Sequence, residues 1–168
     1  MQRASAIFLQ AVVILIGIGA LAFLIWEPQA EGVNAHATGF AEIYLDDPFL
    51  AYGYVASLSF FAALYQAFKV LGYAGHGTIF SAAAMKALRT LKRCALAMIG
   101  FVAGGEILIL LQPSDDRAGG VVMGLLIAFS ALTMAAIATI LERNLQTALD
   151  AAAETQARPG THISASAT

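Results

Sequence analysis

The chain has 168 residues, of which 60% are apolar and 12% charged, and its formal net charge is −2. Soluble domains average about 45–50% apolar and about 25% charged residues. The balance therefore excludes a disordered chain and a broad basic nucleic-acid surface, and a single cysteine, Cys94, excludes a disulfide scaffold.

What remains is an integral membrane protein, a single domain by length. Four apolar runs reach the roughly 20 residues that a membrane-crossing helix needs. The first, about residues 6–26, is uncharged, with Gln10 its one strongly polar side chain. It exceeds the roughly 7–15-residue core of a signal peptide, and the Ala35-His36-Ala37 triplet lies well past its end, so an uncleaved anchor is expected. An acidic loop with Glu27, Glu31, Glu42, Asp46 and Asp47 follows. His36 and Glu42 match no ligand spacing, and no metal is expected there.

The second run, about residues 48–71, ends with Gln66 and Lys69. Gln10 and Gln66 are placed to hydrogen-bond across the first two helices. Gly72, Gly75 and Gly77 predict the end of the second helix, and Ser81 the N-cap of the next. Nothing stops a helix between Ala82 and Leu111, so an amphipathic basic helix runs into, or bends into, the third apolar run, about residues 94–111. Lys86, Arg89, Lys92 and Arg93 fall on one stripe of it, and Ala84, Leu88, Leu91 and Ala95 on another. The fourth run, about residues 119–141, is uncharged. Its helix continues through Glu142 and Arg143 to about Gln156, where Arg158-Pro159-Gly160 stops it. The expected division is a four-helix membrane domain over 1–146 and a tail over 147–168, disordered at its end.

Lys and Arg accumulate on the cytoplasmic side of membrane proteins. Of the nine basic residues, Arg117 alone lies between the third and fourth runs. Arg3, Lys69, the four-residue stripe, Arg143 and Arg158 all lie on the opposite side. Both termini and the segment between the second and third spans are thus expected in the cytoplasm, the acidic loop outside. Trp26, Tyr44, Tyr52 and Tyr54 mark the outer boundary and Tyr65 and Tyr73 the inner one. The expected fold is all-α: an integral membrane bundle of four transmembrane helices, with a cytoplasmic amphipathic basic helix before the third span.

Glu106 is an ionisable group inside a span, which is costly and points to function. It can serve a proton or cation relay, making the chain a subunit of a small oligomeric transporter or channel. It also lies only about 7–8 Å before the end of its helix, close enough to reach headgroups or Arg117. Both readings stay open. The stripe Lys86, Arg89, Lys92 and Arg93 has three: orientation by the charge rule, a grip on anionic membrane lipid at about 1 kcal/mol per residue, or docking of an acidic cytoplasmic protein. No nucleic acid is expected. Gly100 with Gly104, and Gly120 with Gly124, form G-x-x-x-G pairs suited to close helix packing, within the bundle or in a homo-oligomer. His36, His76 and His162 lie outside the spans, which disfavours haem. No nucleophile motif, phosphate loop, zinc helix or cysteine pair occurs. No catalytic residue, cofactor or metal is therefore expected, and the protein reads as non-enzymatic.

The runs Asp47-Pro48-Phe49-Leu50-Ala51-Tyr52 and Ala63-Leu64-Tyr65-Gln66-Ala67-Phe68-Lys69, then Phe80-Ser81, Lys86-Ala87-Leu88-Arg89 and Leu91-Lys92, resemble the bacterial membrane proteins catalogued as domain of unknown function 2975. The resemblance extends from about Ile7 to Gln146, and Ser114-Asp115-Asp116-Arg117-Ala118-Gly119-Gly120 resembles a subset of that family. It implies a small, multi-pass protein of the bacterial inner membrane with four helices. Family members often neighbour small helix-turn-helix regulators, which implies a cytoplasmic regulatory partner.

Overall fold

A computed structural model describes residues 2–30, 39, 48–111 and 117–157. Among these residues lie four helices, α1 (Gln2–Ala30), α2 (Pro48–Gly75), α3 (Ala82–Leu111) and α4 (Arg117–Ala157). Each has a stretch long and apolar enough to cross a membrane. No strand occurs among the described residues. This is the all-α membrane architecture that the apolar runs predict.

The turns follow local chemistry. Gly77 has φ 71°, a conformation open to glycine without a Cβ clash. Around it Thr78 N–H donates to the Tyr73 carbonyl at 2.9 Å and Gly77 N–H to the Ala74 carbonyl at 3.2 Å. That pair of bonds is a Schellman cap closing α2. Gly72 and Gly75 differ from expectation: they stay helical and do not break α2. A Cβ on Gly75 would lie 2.8 Å from the Ala6 Cβ, and one on Gly72 3.1 Å from Gln10 Nε2. They are the notches into which α1 packs. Ser81 caps α3 as expected, its Oγ accepting from Ala84 N–H at 3.2 Å.

The basic stripe and the third apolar run form one uninterrupted helix, α3. At 41 residues, α4 is about 60 Å long, twice the roughly 30 Å of a bilayer's hydrocarbon core. It therefore continues well past its apolar run, across the expected boundary at residue 146.

The helices pack mainly in chain order: α1 on α2, α2 on α3, and α3 most extensively on α4. The α3–α4 pair is antiparallel. On α4 the residues Gly120, Gly124, Ile127, Ala131, Ala135, Ala138, Glu142, Leu145 and Leu149 follow one another at spacings of three or four. This is the period of a helix–helix seam. Ala131, Ala135, Ala138 and Leu145 are buried along it. Small residues at its middle let the backbones approach. At the basic end of the molecule, Val70 of α2, Met85, Ala87 and Leu88 of α3, and Leu145 of α4 form a closed cluster, with Tyr73 and Leu149 against it. Leu88, 1% exposed, is its centre. By contrast α1 shows most of its apolar side chains outward, as lipid-facing helices do.

Several expectations fall outside the described residues. They are the Ala35-His36-Ala37 triplet, the His36 and Glu42 site, the acids Glu31, Glu42, Asp46 and Asp47, His162 and the end beyond 157, whereas Glu27 lies in α1. The same holds for pairing of Glu106 with the Arg117 side chain.

Candidate functional site

The most organised polar site lies at the basic end of the α3–α4 seam. Glu142 accepts from Arg89 Nε through Oε1 and from Lys92 Nζ through Oε2, each at 2.9 Å. The three residues meet because α4 keeps its helix beyond the apolar run while α3 begins before its own. Lys92, and then Arg89, hold the Glu142 carboxyl below the usual carboxylate range by donating hydrogen bonds to its charged form. Glu142 follows directly on Leu141, the last residue of the apolar run, so this triad sits where a span ends.

The triad divides the basic stripe in two. Arg89 and Lys92 are engaged within the molecule. Lys86 and Arg93 are exposed, and no ion pair of theirs occurs among the described residues. Lys69, on α2, holds its ammonium 5.4 Å from the centre of the Tyr65 ring, a cation–π contact. Reading the stripe as a unit missed Glu142. Its signal was available: an acid at a seam position between Ala138 and Leu145, across from the basic stripe of the neighbouring helix.

Glu106 lies on the other half of the seam. A Cβ added at Gly124 would overlap the Glu106 carboxylate, so the missing side chain of Gly124 is what gives that group room against α4. Glu106 is half-buried, with no hydrogen bond or ion pair among the described residues. One turn further, Ile109 Cδ1 lies 3.1 Å from the position of a Cβ on Gly120. Gly120 and Gly124 thus receive larger side chains from α3. Gly124 and Glu142 are about 27 Å apart along α4 at 1.5 Å per residue. That is close to one hydrocarbon thickness, so Glu106 and the triad sit near opposite ends of the span.

Within the chain, Gly100 and Gly104 are not filled as a pair. A Cβ on Gly100 would meet nothing within 4 Å, whereas Gly104 receives the Tyr52 hydroxyl. That hydroxyl donates to the Phe101 carbonyl at 2.6 Å, and the two rings meet edge to face with centroids 5.9 Å apart. Tyr54 likewise donates to the Leu24 carbonyl of α1 at 2.9 Å. These two tyrosines bolt α2 to its neighbours. Gln10 bonds across to α2 as expected, but to the Phe68 carbonyl at 3.1 Å and not to Gln66. Of the histidines, His76 lies in the α2–α3 turn, with Nδ1 2.7 Å from the Gly72 carbonyl. No cluster of metal-ligating residues occurs among the described residues.

Comparison with known proteins returns the same class. A family model described as "Protein of unknown function (DUF2975)" matches residues 31–157. The chain is 36% identical over 157 residues to an uncharacterised membrane protein, YoaS, of Bacillus subtilis (strain 168). That alignment covers 92% of this chain and 97% of the relative. No solved structure matches.

Proposed function

The chain belongs to the DUF2975 family of proteins of unknown function, and we propose that it is a non-enzymatic binding protein of the bacterial inner membrane. Its basic end, on the cytoplasmic side with both termini, receives an acidic surface of a regulatory protein. The observation that carries this reading is the division of the basic stripe. Arg89 and Lys92 are engaged by Glu142, while Lys86 and Arg93 stand exposed, seven residues apart on one face of α3. The closed cluster around Leu88 gives those two cations a rigid base, and a preformed surface lowers the cost of binding.

The test is capture of partners from native membranes by chemical cross-linking. Lys86→Glu with Arg93→Glu should abolish capture while leaving membrane insertion intact. Capture that survives this double reversal rejects the reading. Orientation is tested separately, by labelling an introduced Lys86→Cys from either side of sealed vesicles in a Cys94→Ser background.

A second reading, a small oligomeric transporter or channel using Glu106, draws support from the seat of that carboxylate between α3 and α4. Its depth, near one end of the span, favours an interfacial role. Proteoliposomes decide between them: a proton or cation flux that Glu106→Gln removes supports transport, and the absence of flux rejects it.

A further inference from the structure

Between the helices lies an apolar slot of about 600 Å³ with walls from all four, within the roughly 300–1,000 Å³ of ligand cavities. Its floor is buried Leu91 and Ala95 of α3 and Ala131 of α4. Its rim is exposed: Phe23 of α1, and Leu126 and Met134 of α4. Along α2 it runs from Gly53 to Ala67, about 21 Å at 1.5 Å per residue.

We propose that this slot holds one acyl chain of a membrane phospholipid, which enters sideways between α1 and α4. Three observations point to that occupant. The first is continuity. α1 packs on α2 and α4 on α3, with no comparable packing of α1 against α4. The side between α1 and α4 is thus open, and its rim is part of the apolar outer surface that faces hydrocarbon in a membrane protein. The second is chemistry. The two hydroxyls in the walls, Ser57 and Ser130, already donate to the carbonyls of Tyr54 and Leu126, at 2.7 and 2.8 Å. No buried side-chain polar atom among the described residues lacks a partner. The walls ask for no polar ligand, and an apolar cavity does not hold water. The third is length. One leaflet's hydrocarbon is about 15 Å deep, half the bilayer core, so a slot of about 21 Å takes a whole chain.

The experiment uses the full chain in vesicles of phosphatidylethanolamine and phosphatidylglycerol bearing a diazirine on one acyl chain. Photolabelled residues are read by mass spectrometry. Surrounding lipid labels outward residues such as Leu15 and Ile18, which serves as the control for insertion. A slot-bound chain labels Leu91, Ala95 and Ala131 as well. Ala131→Leu, and separately Ala63→Leu in the α2 wall, should cause loss of floor labelling and leave Leu15 and Ile18 labelled. Outer labelling without floor labelling in the native chain overturns the proposal. So does floor labelling that persists in both filled variants, or floor residues cross-linked to a second copy of the chain instead of lipid.

Discussion

The Glu106 carboxylate of α3 occupies the volume that a side chain on Gly124 of α4 would need. A charged group and an absent side chain are thus matched across the seam. Gly124→Ala should force the carboxylate out of its seat and destabilise the protein by about 1–3 kcal/mol, the usual cost of overpacking. Glu106→Ala in the same chain should restore most of that loss. Thermal unfolding in detergent measures both, and strictly additive losses would show that the two residues do not touch.

A similar match joins Tyr52 to Gly104. Tyr52→Phe removes the hydroxyl that donates to the Phe101 carbonyl and should cost about 0.5–1.5 kcal/mol. Gly104→Ala alone should cost more, because the new methyl meets that hydroxyl. Combined with Tyr52→Phe the penalty should shrink. The coupling energy of this double-mutant cycle, expected at about 0.5–3 kcal/mol for residues in contact, is the measurement.

The Glu142 triad makes stability depend on pH with a definite sign. Lys92 and Arg89 depress the native carboxyl below its ordinary value. The stabilisation is therefore complete above the unfolded carboxylate value of about 4.3 and is lost as pH falls through the lower native one. Because the Arg89 side chain is 53% exposed, each pair is expected to contribute no more than about 1 kcal/mol. Glu142→Gln should lower the unfolding temperature at pH 7, with the gap to the native chain closing in acid. A gap independent of pH would assign the effect to packing alone.

Gln10→Leu tests the hydrogen bond from α1 to the Phe68 carbonyl. Interhelical bonds of this kind in membranes average about 0.6 kcal/mol. The expected result is a small loss of stability with normal insertion. An unchanged unfolding temperature would mean that Gln10 finds an equally good partner in the membrane.

Much of the fold was legible because a bilayer tolerates few alternatives. An apolar run of about 20 residues has one low-energy form there, a helix with its backbone bonds satisfied internally. The four runs, the Ser81 cap and the reach of α4 toward Gln156 followed from that and from local turn chemistry. Gly72 and Gly75 were misread as breakers, since a glycine weakens a helix by about 1 kcal/mol in isolation but repays it where Ala6 and Gln10 pack. Glu142 escaped notice for a related reason. Its meaning depends on which helix lies opposite, and spacing within one helix does not specify its neighbour's register.

By itself, then, the sequence determined that this is a four-span membrane protein, with its basic residues gathered at one end. Scarce charges in an apolar chain can lie in few places. Only the tertiary structure decided which charges are spent on the protein itself. The register of α3 against α4 follows from side-chain volume, with Ile109 against Gly120 and Glu106 against Gly124. That register brings Arg89 and Lys92 onto Glu142 and leaves Lys86 and Arg93 facing outward.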